Sequence, residues 1–123
     1  MFEGTYTAII TPFSKTGIDY DGFEKLIESQ INGGINGIVF IGTTGEPATM
    51  TSTEKKQLRD FAIKKVGGRV PVIFGTGSNC TATAVENSIA AKDEVADGIF
   101  VVTPYYNKCT QEGLYLHYQA IAD

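Results

Sequence analysis

Four apolar, β-branched runs punctuate the chain at intervals of about 30 residues, and a segment of helical period follows each of them. The runs are TYTAIITPF at Thr5–Phe13, GIVFIG at Gly37–Gly42, VPVIFGTG at Val70–Gly77 and GIFVVTP at Gly98–Pro104. Strands alternating with helices at a fixed spacing are the signature of repeated β/α units, in which each helix returns the chain so that the next strand lies parallel to the last. The second and fourth runs are almost continuously apolar rather than alternating, which predicts strands covered on both faces. Four such units make either a doubly wound open sheet or half of a (β/α)8 barrel. The 123 residues are one domain's worth of chain, so 1–123 is expected to be a single domain of class α/β.

The intervening segments carry helix signals. Phe23, Leu26, Ile27 and Ile31 form one apolar stripe, behind a cap at Asp19 or Asp21 and before the stop at Gly33 and Gly34. The next helix is expected to start from a Ser52 or Thr53 cap. It places Leu58, Phe61 and Ala62 on one side and ends in lysines ahead of Gly67, as the helix dipole favours. The third is expected to bury Ala82, Val85 and Ile89, and the fourth Leu114, Tyr118 and Ile121.

Charge and composition exclude several classes of function. With a formal charge of −4, a pI near 4.9 and its basic residues scattered, the chain lacks the footprint of a nucleic-acid binder. No apolar run reaches the roughly 18 residues that span a bilayer, and Met1–Thr11 has no basic segment leading into a long apolar one, so no membrane partner and a cytoplasmic location are expected. Cys80 and Cys109 are far apart and lack Cys or His neighbours at ligand spacing, which suggests neither a metal site nor a disulfide framework. The single histidine, His117, falls in a helical pattern and reads as structural.

In either parallel architecture the loops at the carboxyl ends of the strands share one rim. That rim would gather PFSKTG, GTTGE, GTGSN and TPYYNK, and with them Thr43, Thr44, Ser78, Asn79, Tyr105 and Tyr106. The set has no carboxylate pair and no Cys-His pair, so hydrolysis by those devices is not indicated. It is rich in hydroxyls, which can hand protons along a chain. Gly42 and Gly45 flank the two threonines; glycines permit positive φ and close approach of a ligand, and the backbone N–H groups around them suit a small carboxylate. The same turn also suits a plain strand-to-helix connection, and Thr43 and Thr44 also suit capping it. Glu46 is expected to shape the loop through hydrogen bonds.

GTTGE after the second strand, GTGSN after the third, VTPYYN after the fourth and the opening TAIITPF, in this order, resemble the dihydrodipicolinate synthase (4-hydroxy-tetrahydrodipicolinate synthase) family over the whole chain. The Gly-x-Thr-Gly-Glu loop is shared with other pyruvate-dependent aldolases, including the N-acetylneuraminate lyase type; the doubled threonine with PYYN favours the synthases. The resemblance implies the first four units of a TIM (β/α)8 barrel, a half-barrel, and no cofactor. It implies condensation of pyruvate, held as a Schiff base, with L-aspartate 4-semialdehyde in lysine biosynthesis. Thr44, with Gly42 and Gly45, would hold the pyruvate carboxylate. Thr43 would link two tyrosines in a proton relay, one of them Tyr106, reaching into the neighbouring subunit of a homo-oligomer, a dimer or tetramer in the family. Ala48, Asn79 and Tyr105 would lie at the interface where lysine binds as an inhibitor. The family's Schiff-base lysine sits on the sixth strand, beyond Asp123, so the chain by itself is expected to be inactive and to associate with itself or with a complementing half.

At the effector positions the family's lysine-responsive members carry a glutamate where Thr83 stands here, and histidines where Ser52 and Lys55 stand. Weak or absent lysine inhibition is therefore expected. Two other kinds of protein fit the same residues: a half-barrel that binds a small carboxylic acid without reaction, and a structural piece that assembles with another chain.

Overall fold

The computed structural model describes residues 2–123. Its strands are β1 (Tyr6–Ala8), β2 (Phe13–Ser14), β3 (Gly17–Ile18), β4 (Gly37–Phe40), β5 (Val72–Gly75) and β6 (Gly98–Phe100); its helices are α1 (Tyr20–Asn32), α2 (Ser52–Val66), α3 (Thr81–Asp93) and α4 (Gln111–Ala122). The main sheet has the order β1-β4-β5-β6 and is parallel throughout. Each strand therefore lies beside the one from the preceding unit, with no reversal of order. A doubly wound sheet reverses, and a barrel does not, so the topology is that of consecutive barrel units. β2 and β3 form a small antiparallel hairpin between β1 and α1, which the sequence reading had as loop.

The core lies between the sheet and helices α1 and α2. Phe23 and Ile27 of α1, Ile38 and Phe40 of β4, Leu58, Ala62 and Val66 of α2, and Phe74 of β5 are all fully buried. Phe23 meets Phe40 edge to face at 5.8 Å between ring centres, and Phe40 meets Phe74 at 6.1 Å, so one aromatic row joins a helix to two strands. The α1 stripe matches expectation, and Asp19 caps that helix by accepting from the Gly22 N–H.

Three expectations are corrected. The cap of α2 is Thr51, not Ser52 or Thr53: its hydroxyl accepts from the Glu54 N–H while the Glu54 carboxylate accepts from the Thr51 N–H, a reciprocal capping box. α3 buries Ala84, Ser88 and Ala91 and leaves Ala82 and Ile89 exposed and Val85 half-buried, because small residues let the helix settle close to the sheet: Ser88 Oγ donates to Thr76 Oγ1 at 3.0 Å. β6 is not covered on both faces; Ile99 and Phe100 are exposed because β6 is the edge of the sheet. In α4, Leu114, Tyr118 and Ile121 are half-buried as expected, and His117 is buried beside them.

Candidate functional site

The loops at the carboxyl ends of β4, β5 and β6 border a groove of about 560 Å3. Gly42, Thr43, Glu46 and Ala48 reach it from the β4–α2 connection, Ser78 from the loop after β5, and Tyr105 and Tyr106 from the loop after β6. Lys55 and Arg59 of α2 and Thr83 and Asn87 of α3 complete the helical end. Parallel strands in sequential order are what bring residues more than 60 positions apart to one rim. Of the residues singled out in the sequence, Thr44, Gly45, Ser52 and Asn79 do not line the groove. Thr44 and Gly45 lie in the turn that walls it, and Asn79 is tied to the β6 loop through its carbonyl, which accepts from Asn107 Nδ2 at 3.5 Å.

The turn Thr43–Gly45 is a single 3-10 turn closed by two bonds, Gly45 N–H to the Gly42 carbonyl at 2.8 Å and Glu46 N–H to the Thr43 carbonyl at 3.1 Å. The Gly45 and Glu46 amides are thus consumed within the turn. The Thr43 and Thr44 amides, first in the turn, have no partner inside it, because a 3-10 bond reaches back three residues. Both threonine side chains are exposed. The β1 loop supports the turn from below: Thr11 Oγ1, itself buried, donates to the Gly45 carbonyl at 2.8 Å.

The glycines act differently from expectation. Gly42 has φ −73° and extended backbone, and Gly45 is not among the positive-φ residues either. The left-handed conformations belong to Ile41 (φ 57°) and Glu46 (φ 56°), which flank the turn. A β-branched residue there is an uncommon and costly conformation. Space at Gly45 is tight instead: a Cβ would lie 3.2 Å from Thr11 Oγ1 and 3.4 Å from the Ile9 carbonyl oxygen, so its neighbours would have to give by a few tenths of an ångström.

Tyr106 also has positive φ, 65°, and is 96% exposed, so its phenol is held out into solvent by a strained backbone. Its ring lies edge-on to Tyr105, 6.0 Å between centres. No hydrogen bond links Thr43 to Tyr106 among the described residues, although both line the groove.

Lys55 is half-buried, and burial first, then the neighbouring Arg59 charge, hold its ammonium below the ordinary value of 10.5. Arg59 is 8% exposed and paired with Glu94, through Nε and, at 3.2 Å, through Nη2. His117 packs as a structural side chain, its Nδ1 2.9 Å from Thr81 Oγ1, which ties α4 to the start of α3. The Cys80 thiol is shifted down by hydrogen bonding to Thr83 and is exposed. Among the described residues no group of three His, Cys, Asp or Glu side chains is arranged to hold a metal, and no helix is long and apolar enough to cross a membrane.

Sequence reasoning missed Arg59 and Asn87. Arg59 follows Lys55 by one helical turn, and that i, i+4 spacing was the available signal.

The whole of 1–123 matches the model of the family described as the dihydrodipicolinate synthetase family. The 4-hydroxy-tetrahydrodipicolinate synthase of Kosmotoga olearia is 59% identical over 122 residues, 99% of this chain and 42% of that protein. The synthase of Endomicrobium trichonymphae is 51% identical over 123 residues, again 42% of its length. Among solved structures, dihydrodipicolinate synthase from Thermotoga maritima superposes with a TM-score of 0.96 at 43% identity, covering 99% of this chain and 41% of that one. The chloride-inhibited dihydrodipicolinate synthase from Acinetobacter baumannii, complexed with pyruvate, gives a TM-score of 0.96 at 49% identity, covering 99% and 42%. The chain therefore spans about two fifths of the length of the relatives it matches, and its fold is a partial α/β barrel.

Proposed function

The chain belongs to the dihydrodipicolinate synthetase family, and from that premise we propose that it supplies the carboxylate-holding and proton-relaying rim of a 4-hydroxy-tetrahydrodipicolinate synthase, acting on pyruvate and L-aspartate 4-semialdehyde. The observation that carries this reading is that Thr43, from the β4 turn, and Tyr106, from the β6 loop, line one groove. The Acinetobacter baumannii relative, 49% identical, is itself complexed with pyruvate.

Each residue has a role that its surroundings favour. The hydroxyl and amide of Thr44 receive the keto-acid carboxylate, at a turn whose first two amides are uncommitted. Thr43, with a hydroxyl that both donates and accepts, passes a proton between phenols. Tyr106 is one of them. Its outward projection, 96% exposed, suits insertion into the site of a second copy, while Tyr105 lines the contact between copies. In the condensation an amine adds to the ketone of pyruvate and the ketone oxygen leaves as water, so a relay beside that oxygen supplies the protons its departure needs.

The attacking amine is assigned to a lysine outside these residues. A Schiff-base lysine needs a sheltered pocket that lowers its pKa, facing the keto group. Lys55 is half-buried with its pKa held down, but it stands on α2 beside Arg59 rather than at the turn proposed to hold the carboxylate. Treating the chain with pyruvate and borohydride and reading intact mass tests this. No added mass is expected on the chain alone; a pyruvate-derived adduct on Lys55 or any other lysine would overturn the assignment.

A further inference from the structure

The chain has two cysteines, and the proposed condensation uses neither. They are distant in sequence, but the fold brings together the loops that carry them. Cys80 ends the loop after β5 and is the N-cap of α3, while Cys109 ends the loop after β6, one residue before Thr110, the N-cap of α4. Two side-chain bonds tie these segments to each other. Asn107 Nδ2 donates to the Asn79 carbonyl at 3.5 Å, and Thr81 Oγ1 lies 2.9 Å from His117 Nδ1. Asn79 and Thr81 are the residues on either side of Cys80. Cys109 in turn is folded back on Asn107, whose carbonyl accepts from the Cys109 N–H at 3.1 Å. Cys109, Gly113 and His117 are spaced four residues apart, so they share the side of α4 that meets the start of α3. A Cβ built on Gly113 would lie 3.7 Å from Cys109 Cβ, and glycine there puts no side chain between Cys109 and that start.

Both thiols are exposed and free. They are not equivalent. The Thr83 hydroxyl first, then the Thr83 and Ala82 amides in the first turn of α3, hold the Cys80 thiol below its ordinary value against the opposing charge of Glu86. Cys80 is thus the attacking sulfur and Cys109 the resolving one. Both lie outside the helices and strands, so the backbone at each can adjust to the geometry that a disulfide requires.

We propose that Cys80 and Cys109 form a redox-responsive dithiol, which a small-molecule disulfide oxidises to a bond within one chain that clamps the loop at 105–107 onto the start of α3. The Cys80 thiolate attacks one sulfur of the small disulfide, forming a mixed disulfide and releasing one thiolate. Cys109 loses its proton and attacks Cys80 Sγ, closing the Cys80–Cys109 bond and releasing the second thiolate. The two protons shed by the protein end on the two released thiolates, so one disulfide is reduced as one is made. Closure within the chain has an effective concentration of the order of millimolar, which at micromolar protein outruns coupling between chains. This switch does not rest on the proposed condensation, since no step of it involves pyruvate or the Thr43–Gly45 turn.

Oxidised glutathione, added to the reduced chain at micromolar concentration without oxygen, tests it by intact mass and peptide mapping under non-reducing conditions. The expected product is one chain lighter by two hydrogen atoms, retaining no glutathione, with the Cys80 and Cys109 peptides joined, and dithiothreitol is expected to reverse it. Cys109→Ser is expected to stop at a glutathione adduct on Cys80, and Cys80→Ser to form its adduct on Cys109 more slowly. Circular dichroism establishes that each variant is folded. Trypsin is expected to cut after the exposed Lys108 roughly threefold or more slowly in the oxidised chain, because a clamped loop opens less often. Glutathione retained on both cysteines, a disulfide only between chains, adducts formed equally fast by the two variants, or unchanged cutting at Lys108 would each overturn the proposal.

Discussion

A methyl group at residue 75 has nowhere to go. A Cβ built on Gly75 meets the Ile41 carbonyl and comes within 2.9 Å of the Gly42 nitrogen, both backbone atoms that cannot swing aside. Gly42 is different: the nearest atom to its Cβ is Val39 Cγ1 at 3.7 Å, an ordinary contact, and its φ is negative. Gly75→Ala is therefore expected to cost about 1–3 kcal/mol or more, as overpacking does. Gly42→Ala should stay within about 0.5 kcal/mol. Urea unfolding of both variants checks the contrast; equal costs would show that the close fit at Gly75 is not what matters. The same comparison shows why the loop was only partly legible in the sequence. The motif residues could be read, but glycine was assumed to mark positive φ. The residue that takes that conformation is Ile41, whose carbonyl passes close over Gly75, a contact 34 positions away that no local pattern records.

Among the elements, α2 carries the clearest sequence signal that was passed over. Thr-x-x-Glu at Thr51–Glu54 is the pattern of a capping box, and the structure forms both of its bonds, 2.8 Å and 3.2 Å. The Thr51 backbone N–H, then its hydroxyl, hold the Glu54 carboxyl below the ordinary 4.5. A carboxylate with a lower pKa in the folded state than in the unfolded one stabilises above its unfolded value, and that stabilisation is lost as pH falls through the folded one. Thermal melts of the chain and of Glu54→Gln should therefore differ at pH 7, and the gap should begin to close below about pH 4.5 and go on shrinking as the pH falls further. A gap that does not shrink at all below that pH would mean that the carboxylate charge is not involved. Thr51→Ala should cost about 1 kcal/mol. α3 shows the opposite limit. Its large apolar residues, Val85 and Ile89, suggested one face, yet Ala84, Ser88 and Ala91 are the buried ones. Hydrophobic periodicity weighs side chains by size, whereas a helix seated close to a strand selects small ones. α1, whose buried face is Phe23 and Ile27, obeys the usual weighting and was legible throughout.

For the molecule as a whole, the main sheet ends in two unpaired edges, β1 and β6. Ile99 and Phe100 on β6, Val102 just beyond it, and Tyr115 and Leu116 on α4 are all exposed, at 40%, 55%, 39%, 62% and 52%. Unpaired edges flanked by apolar side chains recruit other strands. The isolated chain is expected to sediment faster as its concentration rises, and Ile99→Lys combined with Leu116→Lys to lower that dependence. Sedimentation that is unchanged across a hundredfold range of concentration would count against it. The four-unit rhythm that announced this architecture was legible because strand spacing is a property of the backbone. The exposure of β6 was not, because an apolar run reads alike whether or not a neighbour covers it.

The turn that bears Thr43 and Thr44 is gripped from two directions, by Thr11 at the Gly45 carbonyl and by the fit of the Ile41 carbonyl against Gly75. It sits like a keystone between its neighbouring strands, unable to sag toward one without lifting from the other. A keto acid arriving there would meet a rigid shelf, and little of its affinity would be spent on quieting a restless loop.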